Sequence, residues 1–310
     1  MLEGYHPELD DSPLLSTADA AKYRAILGSA GWCVTLGRFD VAYAKNTLAR
    51  FAMAPREGHY KQAQRIFGYL SNPSYTKGRL LIDPNLHSIR DDIIKRSEKY
   101  NWKEFYPEAR EELPPIGTVP DPKGPPARIT VYVDADHAHD QVTRRSVTSI
   151  LLFINNTLVR TYTKRQRTVE TSTYGSELVA SRIATEMVME YRNALRSLGV
   201  HVEGPATMLG DNNAVVLNTT LPSSQLKKKH QAVSYHRIRE AIACGIVEFH
   251  HIPSWANYAD VMTKPVPART FQAMVKPILF RQRWKEQKSP FFANDTKDPR
   301  LRPGTTTTID

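Results

Sequence analysis

The chain has 310 residues, 41% of them hydrophobic and 9% aromatic, a globular composition with room for two domains. Its formal charge is +10, nearly all of it after residue 127, a field that suits a polyanion without naming one. No apolar run reaches the about 18 residues of a membrane span, the N-terminal MLEGYHPELDDSP is polar and acidic, and Cys33 and Cys244 have no zinc-type spacing. These features exclude a membrane partner and a structural zinc site, and lead us to expect a soluble intracellular protein with both thiols buried and free.

Residues 18 to 70 carry apolar positions at helical spacing (Tyr23, Ile26, Leu27, Ala30; Tyr43, Leu48, Phe51; Ala63, Ile66, Phe67, Leu70), which predicts about three helices punctuated by Pro55 and Gly58 and ended by Asn72-Pro73. Residues 84 to 127 hold charge and eight prolines without a sustained period and read as a linker or a poorly ordered insertion. Strand-like runs then follow at ITVYVDA, SVTSILLFINN and TLVRTYT, with Asn155-Asn156 as the turn between the last two. A long helix is predicted over 173 to 198, stopped by Gly199, then a strand at 206 to 210 and a short helix in DNNAVVLN. Another helix over 231 to 244 and a fifth strand at 246 to 252 precede a last helix across 257 to 262, with Ser254 as its N-cap. The order βββ-α-β-α-α-β-α predicts an α/β fold with a five-stranded mixed sheet, its first three strands antiparallel and helices on both faces. The expected organisation is a helical region over 1 to 83, the linker over 84 to 127, the α/β domain over 128 to 266, and a C-terminal extension over 267 to 310 whose end is disordered.

On that topology Asp134 falls at the end of the first strand, Asp211 at the end of the fourth, Glu177 in the first turns of the long helix, and Asp260 on the final helix. Taken singly, each has an ordinary explanation as a turn, cap or dipole residue. Gathered at the ends of neighbouring parallel strands, four carboxylates repel one another unless a cation offsets their charge. Hard oxygen donors select Mg²⁺ or Mn²⁺, and two such ions are suited to phosphodiester hydrolysis.

The words YVDADHAHD, TSTYGSELVA, LGDNNAVVL, KKKHQAVSYHRIREAI and NYADVMTKPV occur in the order and at the spacing of the ribonuclease H domain of Ty1/copia-type retrotransposon Pol polyproteins, which the chain resembles. Upstream, residues 22 to 70 resemble the region that follows the polymerase palm in the same polyproteins. The resemblance implies a ribonuclease H-like fold, catalytic and metal-binding roles for Asp134, Glu177, Asp211 and Asp260, and an RNA/DNA hybrid as substrate. Departures are His137 and His139, where the family has Trp and Gly, and SVTSI at 146 to 150; none removes a carboxylate. YVDAD invites comparison with a polymerase active site, but its aspartates are not adjacent, and Asp10-Asp11 and Asp91-Asp92 lack a hydrophobic hairpin. The polymerase palm is therefore expected to lie outside this chain, as a partner from the same polyprotein.

Several other residues are candidate nucleic-acid contacts: Lys164 and Arg165 after the third strand, Lys227, Lys228 and Lys229 before a helix, Ser172, Thr173 and Ser176 around the start of the long helix, and Asn212 and Asn213 beside Asp211. Solvated surface and helix capping are the competing explanations for these. His137, His139, Asp136 and Asp140 read as loop residues, with either aspartate available to a second ion, and His250 and His251 as strand residues. The function implied is a metal-dependent endonuclease that cuts the RNA strand of RNA/DNA hybrids during retrotransposon reverse transcription, in a cytoplasmic particle or the nucleus. The alternative is a catalytically decayed or connection-type nucleic-acid-binding module.

Overall fold

In the computed structural model, which describes residues 4–85, 87, 91–115 and 117–280, the β-branched and aromatic runs form a single mixed sheet. The expected disordered end, PGTTTTID, lies outside the described residues. β1 (Ile129–Asp136), β2 (Val147–Ile154) and β3 (Thr157–Arg165) pair antiparallel in succession, while β4 (Ala206–Gly210) and β5 (Val247–His251) add in parallel on the other side of β1. The order β3-β2-β1-β4-β5 is the ribonuclease H-like arrangement that the resemblance implies. β1 and β2 are buried on both faces up to their last residue, which is why they read as nearly continuous apolar runs; β3, at the edge, is mostly half-exposed. Asn155 takes φ +51° in the tight β2–β3 turn, a left-handed conformation that asparagine tolerates better than most residues.

One face of the sheet carries α4 (Thr173–Ser197), α5 (Asn213–Thr220) and α6 (Ala232–Ala243), whose Leu178, Val188, Val216 and Ile238 pack on Val131, Val133, Leu152 and Met208. Gly199, at φ +71°, ends α4 as expected. The other face is covered by α7 (Ala268–Leu279), the turns around Tyr258 and Met262, and Phe39 and Ala42 from the N-terminal helices. Those helices are α1 (Thr17–Thr35), α2 (Ala42–Ala49) and α3 (Glu57–Ser71), three as predicted, with a small core of Tyr23, Leu27, Leu48, Ala63 and Ile66. The Ser16 hydroxyl caps α1 by accepting the Asp19 N–H.

Two local expectations are corrected. The last helix is a pair of short 3₁₀ turns, Ser254–Ala256 and Tyr258–Met262, and the second is capped by Asn257, not Ser254. Asn257 leaves helical geometry (φ −82°, ψ 98°) so that its side chain can accept the Ala259 N–H and donate to the Val133 carbonyl, which breaks the helix in two. Cys33 and Cys244 are free but half-exposed, because each sits at the rim of its helix packing and not within it.

Residues 94–127 contain no strand longer than an isolated bridge and no α-helix among the described residues, yet they are strapped to the α/β unit. Lys95 exchanges both backbone hydrogen bonds with His251 on the free edge of β5, and the Ser97 hydroxyl donates to the Phe249 carbonyl. Glu111 accepts four hydrogen bonds of 2.7–2.8 Å from Arg192 and Arg196 on α4. Burial opposes its ionisation, but the two guanidiniums prevail and hold the carboxyl down at about 2. A depressed folded pKa contributes stability that is present above the ordinary glutamate range and is lost as pH falls toward 2. Glu111→Gln is expected to loosen the strap by on the order of 1 kcal/mol at neutral pH, after allowing for solvent screening. Hydrogen exchange should then quicken in residues 94–115 and stay unchanged in β1; unchanged exchange in the strap would refute the role given to this pair.

Candidate metal centre

Three elements deliver three carboxylates to one point. Asp134 lies two residues before the end of β1, Asp211 directly follows β4, and Glu177 lies in the second turn of α4. β1 and β4 are parallel neighbours, so their C-terminal ends are adjacent, and α4 crosses the sheet at that end. One oxygen from each carboxylate lies within 4.8 Å of the others.

The start of α4 is fixed by its capping and by close packing. The Ser172 hydroxyl accepts the Gly175 N–H, and Gly175 is pressed so tightly against Gln231 and Glu170 that a Cβ would meet their side chains at 2.4 and 2.6 Å. Glu177 then accepts the Ala135 N–H, which ties the helix to β1. The Tyr258–Met262 turn is pinned to β1 through Asn257 and Val133, one residue before Asp134. That places Asp260 against Asp134, within hydrogen-bonding reach, as the fourth acid of the cluster and outside the tight group of three.

The electrostatics are those of an uncompensated acidic site. Burial first, then the charges of Asp260 and Asp211, pushes the Asp134 carboxyl far above the usual carboxylate range. Glu177 is raised likewise by burial and then by Asp134 and Asp211, and Asp260 is raised by burial despite the nearby Lys264 ammonium. Asp134 is 3% exposed, Glu177 5% and Asp260 7%, so solvent screens them poorly. A hard, all-oxygen donor set that is short of positive charge fits a divalent cation.

The remaining sequence candidates divide. Ser172 and Lys228 meet before α4, where the Lys228 ammonium donates to Thr171 at 2.6 Å and to Ser172 at 3.4 Å, and Thr173 is exposed at the first position of the helix. Lys164, Lys227 and Lys229 are exposed. Arg165 is instead committed to Asp140, at 2.7 Å. Ser176 is corrected: it is fully buried, its hydroxyl donating to the Thr173 carbonyl, because it faces the sheet next to Glu177. Asn212 caps α5 through the Val215 N–H, and the Asn213 side-chain oxygen is buried without a partner. Asp136 pairs with His139 at 2.6 Å, and Asp140, fully buried, is held by Arg50 and Arg165, so Asp140 is an anchor and not a ligand.

No family model matches the chain. It is 24% identical over 260 residues to the retrovirus-related Pol polyprotein from transposon RE1 of Arabidopsis thaliana, a match that covers 84% of this chain and 15% of that protein. The corresponding protein from transposon TNT 1-94 of Nicotiana tabacum is 24% identical over 250 residues, 81% of this chain and 16% of its own length. Over most of its length the chain is similar in sequence to retrotransposon Pol polyproteins. It spans about one-sixth of the length of these curated relatives. Among solved structures, RNase H1 from Halobacterium salinarum is 16% identical, covers 44% of this chain and 94% of its own, and has a TM-score of 0.34.

Three residues not among the sequence candidates reach the acidic residues. The Thr263 hydroxyl, fully buried, donates to Asp134 Oδ2 at 2.5 Å, and Lys264 Nζ donates to Asp260 Oδ1 at 3.2 Å. His251 Nε2 donates to the Asp211 carbonyl at 3.1 Å. Thr263 and Lys264 stand inside the quoted word NYADVMTKPV, three and four residues past Asp260, a spacing that points back toward it; nothing local marks His251.

Proposed function

We propose that this chain is a metal-dependent endonuclease that hydrolyses the RNA strand of RNA/DNA hybrids, as part of retrotransposon reverse transcription inside the cell. The observation that carries the reading is the convergence of Asp134, Glu177 and Asp211 on one point from three elements. Kinship with transposon Pol polyproteins supports the biological setting and a polymerase palm as partner. Asp134, Glu177 and Asp211 would hold Mg²⁺ or Mn²⁺, with Asp260 completing the set for a second ion. Bound there, such ions activate a water nucleophile and stabilise the leaving 3′ oxygen.

The chain's own contribution is position. Thr263 fixes the orientation of the Asp134 carboxylate, the Ala135 N–H that of Glu177, and Asn257 the turn bearing Asp260. Lys228, with Thr171 and Ser172, presents a cation and two hydroxyls at the start of α4, suited to a phosphate and 2′-hydroxyls of the bound strand. Lys164, Lys227 and Lys229 add exposed positive charge, and Thr173, Asn212 and Asn213 flank the acids. Incubating the purified chain with end-labelled hybrid and Mg²⁺ should release RNA fragments and leave the DNA strand intact, with chelator abolishing the reaction. Equal RNA loss with wild type and Asp134→Asn would overturn the assignment.

A further inference from the structure

Asp260 stands apart from the other three acids in carrying its own cation. Lys264 lies four residues beyond it, in the bend after the 3₁₀ turn, donates to Asp260 Oδ1 at 3.2 Å, and also feels the charges of Asp134 and Asp136. It is not locked there. Its side chain is 40% exposed and lines a cavity of about 420 Å³ between the N-terminal helices and α7, together with Tyr43, Tyr69, Val261 and Phe271. The long aliphatic stem therefore has room to swing the ammonium away from Asp260 without moving the backbone.

We propose that Lys264 is an internal cation that keeps Asp260 out of the metal-binding set in the nucleic-acid-free protein. Asp134, Glu177 and Asp211 then take a single ion, and Asp260 becomes available to a second ion only when a phosphate of the nucleic acid draws Lys264 away. The inference rests on the nuclease reading above and adds an order of loading to it. Its physical basis is charge: an ammonium at hydrogen-bond distance already satisfies Asp260, and it repels any divalent ion approaching from the same side. Lysine suits this role better than arginine would in a fixed fork, since its point charge on a flexible stem can be exchanged between two anions.

The test is a Mn²⁺ titration of the full chain without nucleic acid, read by electron paramagnetic resonance and calorimetry, so that no catalytic turnover enters. Wild type is expected to bind one Mn²⁺ per chain, and Lys264→Gln two, or one with affinity raised about tenfold, the order expected for losing a partly screened neighbouring charge. Lys264→Arg, which keeps the charge, should reproduce the wild-type count. Identical titrations for wild type and Lys264→Gln, with binding lost in Asp134→Asn, would overturn the role of Lys264 and leave the nuclease reading standing. Two ions bound by the wild type would overturn it equally. Absence of Mn²⁺ binding in the wild type would overturn both.

Discussion

Asp134→Asn is expected to abolish hybrid cleavage and, at the same time, to make the metal-free protein more stable. The loss of activity should be on the order of 10³-fold, since a metal ligand underwrites several kcal/mol of transition-state stabilisation. The gain in stability follows from the same geometry. Asp134 is buried against Asp260, Asp211 and Glu177, and its folded pKa is raised above that of the unfolded chain, as is that of Glu177. Between the two pKa values the folded protein binds more protons than the unfolded one, so its stability falls as pH rises. The stability of the protonated cluster is fully present below the ordinary carboxylate range and is lost as pH climbs through the raised values. Asparagine keeps an oxygen for the Thr263 hydroxyl but carries no charge. Removing one repelling buried charge is worth about 1–2 kcal/mol, or roughly 2–4 °C in melting temperature for a protein of this size. The mutant should melt above the metal-free wild type at pH 7.5, and the gap should narrow toward pH 5. Saturating Mg²⁺ should raise the wild type and leave the mutant nearly unmoved. A mutant less stable than metal-free wild type at pH 7.5, or a gap that does not change with pH, would contradict this account of the cluster.

Asp140→Ala is expected to cost far more stability than its place in an irregular loop suggests. Its carboxylate is fully buried between Arg50 and Arg165, and it also accepts the Val142 and Thr143 N–H groups at 3.1 and 2.8 Å. Removing it leaves two guanidiniums facing each other. Burial and the charge of Arg165 already disfavour the Arg50 cation, so the mutation exposes a repulsion that Glu8, the remaining nearby carboxylate, offsets only in part. Breaking such a buried set costs about 3–5 kcal/mol, which corresponds to a fall of roughly 5–9 °C in melting temperature. Arg50→Met should fall less, because Arg165 still neutralises Asp140. The loss should appear as one cooperative transition, since Arg50 follows α2 while Asp140 belongs to the β1–β2 loop. A fall of under about 2 °C would show that the triad contributes little.

The same loop shows where sequence was informative and where it was not. β1, β2 and α4 were legible because their periodicity follows from burial: two-sided burial for the strands, a one-sided stripe for the helix. Asp134, Glu177 and Asp211 were legible as acids at the ends of such elements, whereas Asp260 rested on the resemblance, since nothing in its own turn marks it. What escaped was made by single bonds across long sequence separations. Thr263 lies 129 positions from Asp134, and Asn257 lies 124 from Val133. The Asn257 bond is also why Ser254, a good cap by local chemistry, does not serve as one. Ser176 resembled a surface hydroxyl because its neighbours Ser172 and Thr173 lie toward solvent, while a helix turns its next residues inward. The strap at 94–127 left no period because it is held by one edge pairing and isolated side chains such as Glu111.

The face that α2 presents to the sheet has a consequence for how this piece of polypeptide can be divided. Tyr43, Asn46 and Arg50, spaced three and four apart on one side of the helix, reach His139, the Thr163 carbonyl and Asp140, while Phe39 and Ala42 cover Tyr132, Phe153 and Leu209. A boundary drawn at residue 128 would strip a buried apolar surface and unseat the loop that follows β1. Cohesion here is therefore set by packing and not by motif, and it runs from α1 through α7.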